Sequence, residues 1–206
     1  ITISNYPDDK NEELVLINNP ENPDSESRSV TFSKEIYIEQ TDFLEDPPKK
    51  FFRLSPGNEV RLKGAYIIKA EEVIKDSHGK IKELMCSYDP QSKSGSGTPE
   101  SQRKVKGTLH WVSCVSNIPV EIREYDRLFE HPSPGDFSNE DIASAINKNS
   151  INVFNGFGEK ELSKASVSES FQFQRKGYYI KDIDSTKDKH IFNKTVSLRD
   201  NWKKKN

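Results

Sequence analysis

Two stretches of this chain carry the side chains best suited to hold a polar ligand. In KKFFRLSPGNEVRLKGAY, the basic residues Lys49, Lys50, Arg53, Arg61 and Lys63 are set among Phe51, Phe52 and Tyr66. Read as a strand, EVRLKGAY points Val60 and Leu62 inward and leaves Arg61 and Lys63 on the other face, about 7 Å apart. That interval matches neighbouring polar groups along an extended nucleotide strand. The turn residues Ser55, Pro56 and Gly57 could fold Arg53 back beside Arg61. A guanidinium makes two parallel hydrogen bonds to a base edge or a phosphate, which an ammonium cannot do.

The second stretch is SFQFQRKGYY, Ser170 to Tyr179. Alternation buries Phe171 and Phe173 and sends Gln172 and Gln174 to the opposite face. A glutamine amide offers a donor and an acceptor together, as reading the Watson–Crick edge of a splayed base requires. Strict alternation puts Arg175 on the Phe side, and a bulge or turn at Lys176–Gly177 would re-aim it. A third basic cluster, Arg103, Lys104 and Lys106 in RKVKG, suits phosphates at a hairpin end. A solvated strand face satisfies each of these patterns as well, and both readings stand on the residues alone.

No constellation points to catalysis or a metal. SGSGTPE lacks the lysine and the strand-to-helix setting of a phosphate loop. His78, His110, His131 and His190 are scattered at no metal-ligand spacing, and there is no CxxC. No serine sits in a nucleophile-elbow pattern. Adjacent acids such as Glu71–Glu72 and Asp8–Asp9 would point to opposite faces of a strand.

The elements that must position these side chains are strands. LVLIN, SVTFS, EIYIEQ, EVRLKGAYIIKAEEVI, IKELMCSY, KVKGTLHWVS, VEIREYDRLF, INVFNGF, ESFQFQRKGYYIKDI and HIFNKTVSL are rich in β-branched and aromatic residues with partial alternation. KDSHGK reads as a hairpin turn with Gly79 at positive φ, and residues 90–104 as a flexible polar loop. One segment, SNEDIASAI, reads as a helix with Ser138 as its N-cap and an apolar face of Ile142, Ala145 and Ile146. This predicts an all-β barrel or sandwich with one short helix.

The 206 residues suffice for one large β domain or two small ones, and 32% hydrophobic against 31% charged favours thin barrels or sandwiches over a thick doubly wound core. A net charge of −2 advertises no nucleic-acid partner, so any such partner is held by a local patch. Cys86 and Cys114 read as reduced, buried thiols. No apolar run is long enough to span a bilayer, and the chain reads as cytoplasmic. With Ile1 first and ITISN reading as a strand already under way, the chain is expected to be a piece of a longer protein.

NYP near the start, VTFSKEIYIEQTDFLEDPPKKFFRLSPGNEVRLKGAYIIKAEEVIKD, KVKGTLHWVS, VEIREYDRLF, FQFQRKGYY and FNKTVSLRDNW resemble the C-terminal anticodon-binding region of the bacterial-type glutaminyl-tRNA synthetases. The resemblance runs in unbroken order over nearly the whole chain. It implies a pair of ribosomal-L25-like β-barrels, proximal over 1–110 and completed by 186–206, and distal over 111–185. It implies a tRNA(Gln) anticodon loop as partner, opened so that C, U and G enter separate pockets. Arg61 and Lys63 match basic positions around the first base, Arg53 the arginine that meets the third, and Gln172 with Arg175 the pair that holds the central uracil. Lys50 and Phe52 stand where the family can have glutamine and lysine, and Lys63 where an arginine can be found. The ligase chemistry, with its ATP and Mg, belongs to an upstream catalytic domain, so the resemblance implies a piece that is monomeric and catalyses nothing by itself. An equivalent glutamyl-tRNA synthetase domain, or a β module whose basic face meets an acidic protein, is the alternative.

Overall fold

The computed structural model describes residues 1–19, 21–22, 24–130 and 142–198. It divides into two units, Ile1–Asn117 and the residues from Ile118 onward.

In the first unit the strands are β1 (Thr2–Ile3), β2 (Glu12–Ile17), β3 (Ser27–Phe32), β4 (Ile36–Tyr37), β5 (Glu59–Leu62), β6 (Ile67–Lys75), β7 (Ile81–Tyr88), β8 (Thr108–Leu109) and β9 (Val112–Ser113). Five of them form a sheet in the order β1-β7-β6-β5-β8, with β2–β3 and β4–β9 as two-stranded ribbons. The β1–β7 and β5–β8 pairs are parallel; β5–β6 and β6–β7 are antiparallel. Alternate residues of sheet and ribbons meet in one core that includes Leu14, Leu16, Val30, Phe32, Val60, Leu62, Ile68 and Leu109. Tyr6, Phe32, Tyr66, Tyr88 and Trp111 run through it with ring centroids 5.1–5.2 Å apart, edge to face except for the tilted Phe32–Tyr66 pair. Such pairs add to the stabilisation that apolar burial itself supplies. Of the aromatic residues in the basic stretch, Tyr66 is therefore core, and its hydroxyl donates to Glu12 Oε2 at 2.6 Å.

The second unit is one sheet in the order β11-β10-β14-β13-β12. Its strands are β10 (Asn117–Tyr125), β11 (Ile151–Glu159), β12 (Ser170–Phe173), β13 (Gly177–Lys181) and β14 (His190–Val196). Val120, Tyr179 and Phe192 make its buried centre, with Phe171 and Phe173 packed against them. Phe173 stacks on Tyr179 at 4.4 Å between centroids.

The all-β class agrees with the sequence, and three local expectations are corrected. Residues 59–74 are not one strand: the chain turns at Lys63–Gly64, where Leu62 N–H donates to Tyr66 O and Ala65 N–H to Leu62 O. Gly64 takes φ +67, which β-branched residues avoid, and β5 doubles back onto β6. Residues 90–104 are an ordered connection holding a 3-10 turn, Pro90–Ser92, and a short helix α1, Pro99–Gln102, capped by the Thr98 hydroxyl. Phe192–Val196 of the expected return segment belong to the second unit, where β14 fills the gap between β10 and β13 and buries Ile191 and Phe192. The boundary correspondingly falls at Asn117 rather than 110. Of the expected helix at 138–146, residues 138–141 lie outside the described residues, and Ile142–Ala145 form a turn closed by Ala145 N–H to Ile142 O.

Candidate nucleic-acid interface

Arg61 is where structure and sequence part most clearly. Its strand ends one residue later, and Lys63 opens the turn while its N–H still donates to Leu109 O at 2.9 Å, as Arg61 N–H does to Gly107 O at 2.8 Å. The Arg61 guanidinium reaches into the 90–103 connection. One terminal nitrogen donates to Ser92 O at 2.8 Å and Ser94 Oγ at 3.2 Å, and the other to Ser101 O at 2.9 Å and Arg103 O at 3.3 Å. Every terminal N–H therefore has an acceptor inside this unit, and the expected two-pronged base contact is closed. Burial, reinforced by the Arg103 charge, lowers its pKa from the ordinary arginine value. Lys63 is half-buried in the turn, with its carbonyl accepting from Trp111 Nε1 at 3.0 Å.

Arg103 is likewise engaged. It faces Glu59 with both terminal nitrogens and reaches Asp89 at 3.4 Å, and the hydrogen bond to Glu59 raises its pKa. Lys104 and Lys106 are exposed, and Lys106 places its ammonium 5.7 Å from the centroid of the Phe52 ring. The basic cluster RKVKG thus divides into a structural arginine and two solvent-facing lysines.

The segment before β5 is held from several sides. Phe51 N–H donates to Pro48 O, and Lys50 sits at φ 72 in the turn this closes. Arg53 donates to Thr41 O at 2.8 Å, lies 3.6 Å from the buried carboxylate of Asp42, and covers the Phe51 ring at 5.8 Å. Leu54 then bridges to Phe43 and is fully buried. Lys49 and Lys50 point into solvent, and among the described residues neither makes an ion pair.

In the second unit Gln172 is exposed and pairs directly across from Tyr178, which is exposed too; Tyr178 in turn pairs with Val196. Directly opposed residues share a face, so an amide, a phenol ring and an aliphatic side chain stand in a row on the solvent side. Phe171 and Phe173 pack on the other face, as alternation predicts. The strand ends at Phe173, and Lys176 N–H closes a turn onto Phe173 O. Arg175 takes φ 64 at the second central position, the left-handed value of a type II turn. The turn spans Gln174–Arg175 rather than the expected Lys176–Gly177, and Arg175 is half-buried in it. Gln174 is half-buried instead of sharing the face of Gln172. Sequence reasoning passed over Tyr178, although Gln172 and Tyr178 flank a turn and hairpin pairing would have brought them together.

Two cavities, of about 280 and 450 Å³, flank His190 in this unit, and none of the expected site residues lines either. Among the described residues no group of three or more His, Cys, Asp or Glu is placed to hold a metal, and no helix is long and apolar enough to cross a membrane. Cys86 and Cys114 are free thiols; burial pushes Cys86 up to about 12, while Cys114 is only half-buried.

The family model described as tRNA synthetases class I (E and Q), anti-codon binding domain, matches residues 1–89, and a second model of the same description matches residues 108–182. The chain belongs to this family. Among relatives of this anticodon-binding chain, the glutamine–tRNA ligase of Bradyrhizobium diazoefficiens is 47% identical over 99% of the chain and 36% of its own length. Those of Vibrio parahaemolyticus and Salmonella newport are 47% and 46% identical with the same coverage. The chain therefore spans about a third of the length of these curated relatives. Each matched segment carries one of the two stretches, Lys49–Tyr66 in the first and Ser170–Tyr179 in the second.

Proposed function

We propose that this chain reads the anticodon of a glutamine tRNA for a glutamine–tRNA ligase. The observation that carries the reading is Gln172, an amide held in solvent beside the Tyr178 ring on a sheet whose other face is locked by Phe171 and Phe173. A splayed pyrimidine needs such a donor and acceptor at its edge and an aromatic surface near it. The relatives named above are glutamine–tRNA ligases, which favours glutamine over glutamate in this reading. In this reading Gln172 and Arg175 hold the central uracil and Arg53 meets the third base. Lys50 and Lys63 add charge, and Lys104 and Lys106 face loop phosphates. Arg61 serves by holding the 90–103 connection, with Arg103 tied to Glu59 beside it. ATP, Mg and the amino acid are handled in the cytoplasm by the remainder of the ligase, which works as a monomer.

The test is affinity of the full-length protein for tRNA(Gln) with its middle anticodon base changed. Gln172→Ala weakens binding of the cognate tRNA by about 1–3 kcal/mol and relaxes discrimination at that base only; unchanged discrimination removes Gln172 from the reading. Lys104→Ala instead lowers affinity for every tRNA alike and reduces the slope of log affinity against log salt by about 1. A base-selective response there would show that the lysine does more than neutralise a phosphate.

A further inference from the structure

We infer that Phe52 is a built stacking platform for one unpaired base of the bound RNA. This rests on the anticodon-reading function proposed above and adds to it a residue with no charge and no hydrogen-bonding group. Three aromatic side chains lie in the basic stretch, and the structure separates them. Tyr66 is core, Phe51 lies half-buried under Arg53, and Phe52 is 52% exposed. Among the described residues it is the most exposed aromatic side chain of the first unit.

An apolar ring in water is unfavourable unless something covers it. Here its position is enforced from both sides of the chain. The turn at Pro48–Phe51 fixes the residue before it, and the Arg53 bonds and the buried Leu54 fix the residues after it. Behind it, Gly107 comes so close that an added Cβ would stand 2.7 Å from the Phe52 carbonyl oxygen and 2.9 Å from Val60 Cγ1. The backbone is thus seated on β5's neighbour and the ring is left projecting, so little motion remains to be lost when a flat partner arrives.

The surroundings specify the partner's chemistry. Lys106 lies over the ring, Lys49 and Lys50 precede it, and Arg53 follows. A ring within a cluster of cations suits a π-surface that carries its own negative charge, which describes a nucleotide of single-stranded RNA. Base–aromatic stacking needs no particular base, since every base has such a face. The platform therefore supplies affinity and orientation, and edge-reading is left to amide and guanidinium groups.

The experiment uses the full-length protein and tRNA(Gln) transcripts, intact or with one abasic anticodon position at a time. Phe52→Ala is expected to weaken binding of intact tRNA about 5- to 100-fold with the salt slope unchanged. Phe52→Trp should retain affinity, and Phe52→Leu, which keeps an apolar side chain, should not. The Phe52→Ala effect should vanish for one abasic transcript and persist for the other two, because that transcript has no ring to stack. Equal losses for all three, or full activity of Phe52→Leu, would overturn the platform, as would a loss below twofold, which would leave the ring to a protein contact. Should the wild type show no preference for a C-U-G anticodon, the glutamine assignment fails, while coupling to a single abasic position still decides the role of Phe52. Thermal unfolding of each variant should stay close to the wild type, since Phe52 is half-exposed and outside the buried core.

Discussion

Gly177→Ala is expected to lower the stability of the second unit by about 3–5 kcal/mol. Gly177 opens β13 directly opposite Phe173 and takes φ +146, a backbone region that L side chains rarely enter. An alanine Cβ there would lie 2.5 Å from the carbonyl oxygen of Val196 and 3.1 Å from Lys194 Cε. The lysine can swing aside, but the carbonyl belongs to β14, the central strand of the sheet. Either β13 moves away from β14 or the turn at 174–176 reopens. Both outcomes separate Tyr178 from Val196 and disturb the row that contains Gln172. For a unit of this size each kcal/mol moves the melting temperature by about 4–8 °C, so calorimetry should show a fall of more than about 10 °C. A change under about 1 kcal/mol would mean that the close approach of β13 and β14 is not required.

Arg61→Ala should have the second largest effect, a loss of about 2–4 kcal/mol from the first unit. The guanidinium gathers Ser92 O, Ser94 Oγ, Ser101 O and Arg103 O onto one centre. Without it those acceptors lose a charged donor, and the 93–104 segment is left to its caps, the Ser94 bonds to Ala65 O and the ion pairs of Lys93 with Glu12 and of Arg103 with Glu59 and Asp89. Arg61→Lys retains the charge but cannot span four acceptors with a single ammonium, so it should recover little of the loss. Denaturant titration reads the stability, and amide hydrogen exchange should quicken across 93–104. If Arg61→Lys leaves both unchanged while altering preference at the first anticodon base, the arginine is a base reader and its hydrogen bonds here are incidental.

These two residues show what could be read in advance. Local chemistry was legible: the strand expected at Ile81–Tyr88 is present over those residues, and the turn before it uses Gly79 at φ +76 with Asp76 accepting from His78 and Lys80. The outward position of Gln172 followed from alternation alone. What failed was non-local. Strand-forming residues lie on both sides of Lys63–Gly64, so nothing but one glycine marks the turn that follows β5. A polar run at 90–104 looks flexible until the arginine that organises it, some thirty residues earlier, is seen to donate into it. Nor does HIFNKTV announce that it runs parallel to β10, because a parallel register leaves no sign in the turn chemistry nearby. Phe52 and Tyr178 were overlooked for a related reason, since an aromatic in a strand-rich sequence is read as core by default.

The place of β14 also sets an order of assembly. Its neighbours β10 and β13 are both synthesised earlier, and its register joins Val120 to His190 and Ile180 to Asn193. Until it emerges, each waits with an unpaired edge and with Val120 and Tyr179 uncovered. At translation speeds of about 5–20 residues per second, β10 remains in that condition for several seconds. Closing so long a loop is also entropically slow. The half of the molecule that bears Gln172 thus becomes competent last, and a nascent chain stopped short of His190 would expose two sticky hairpins where a finished protein presents a sheet.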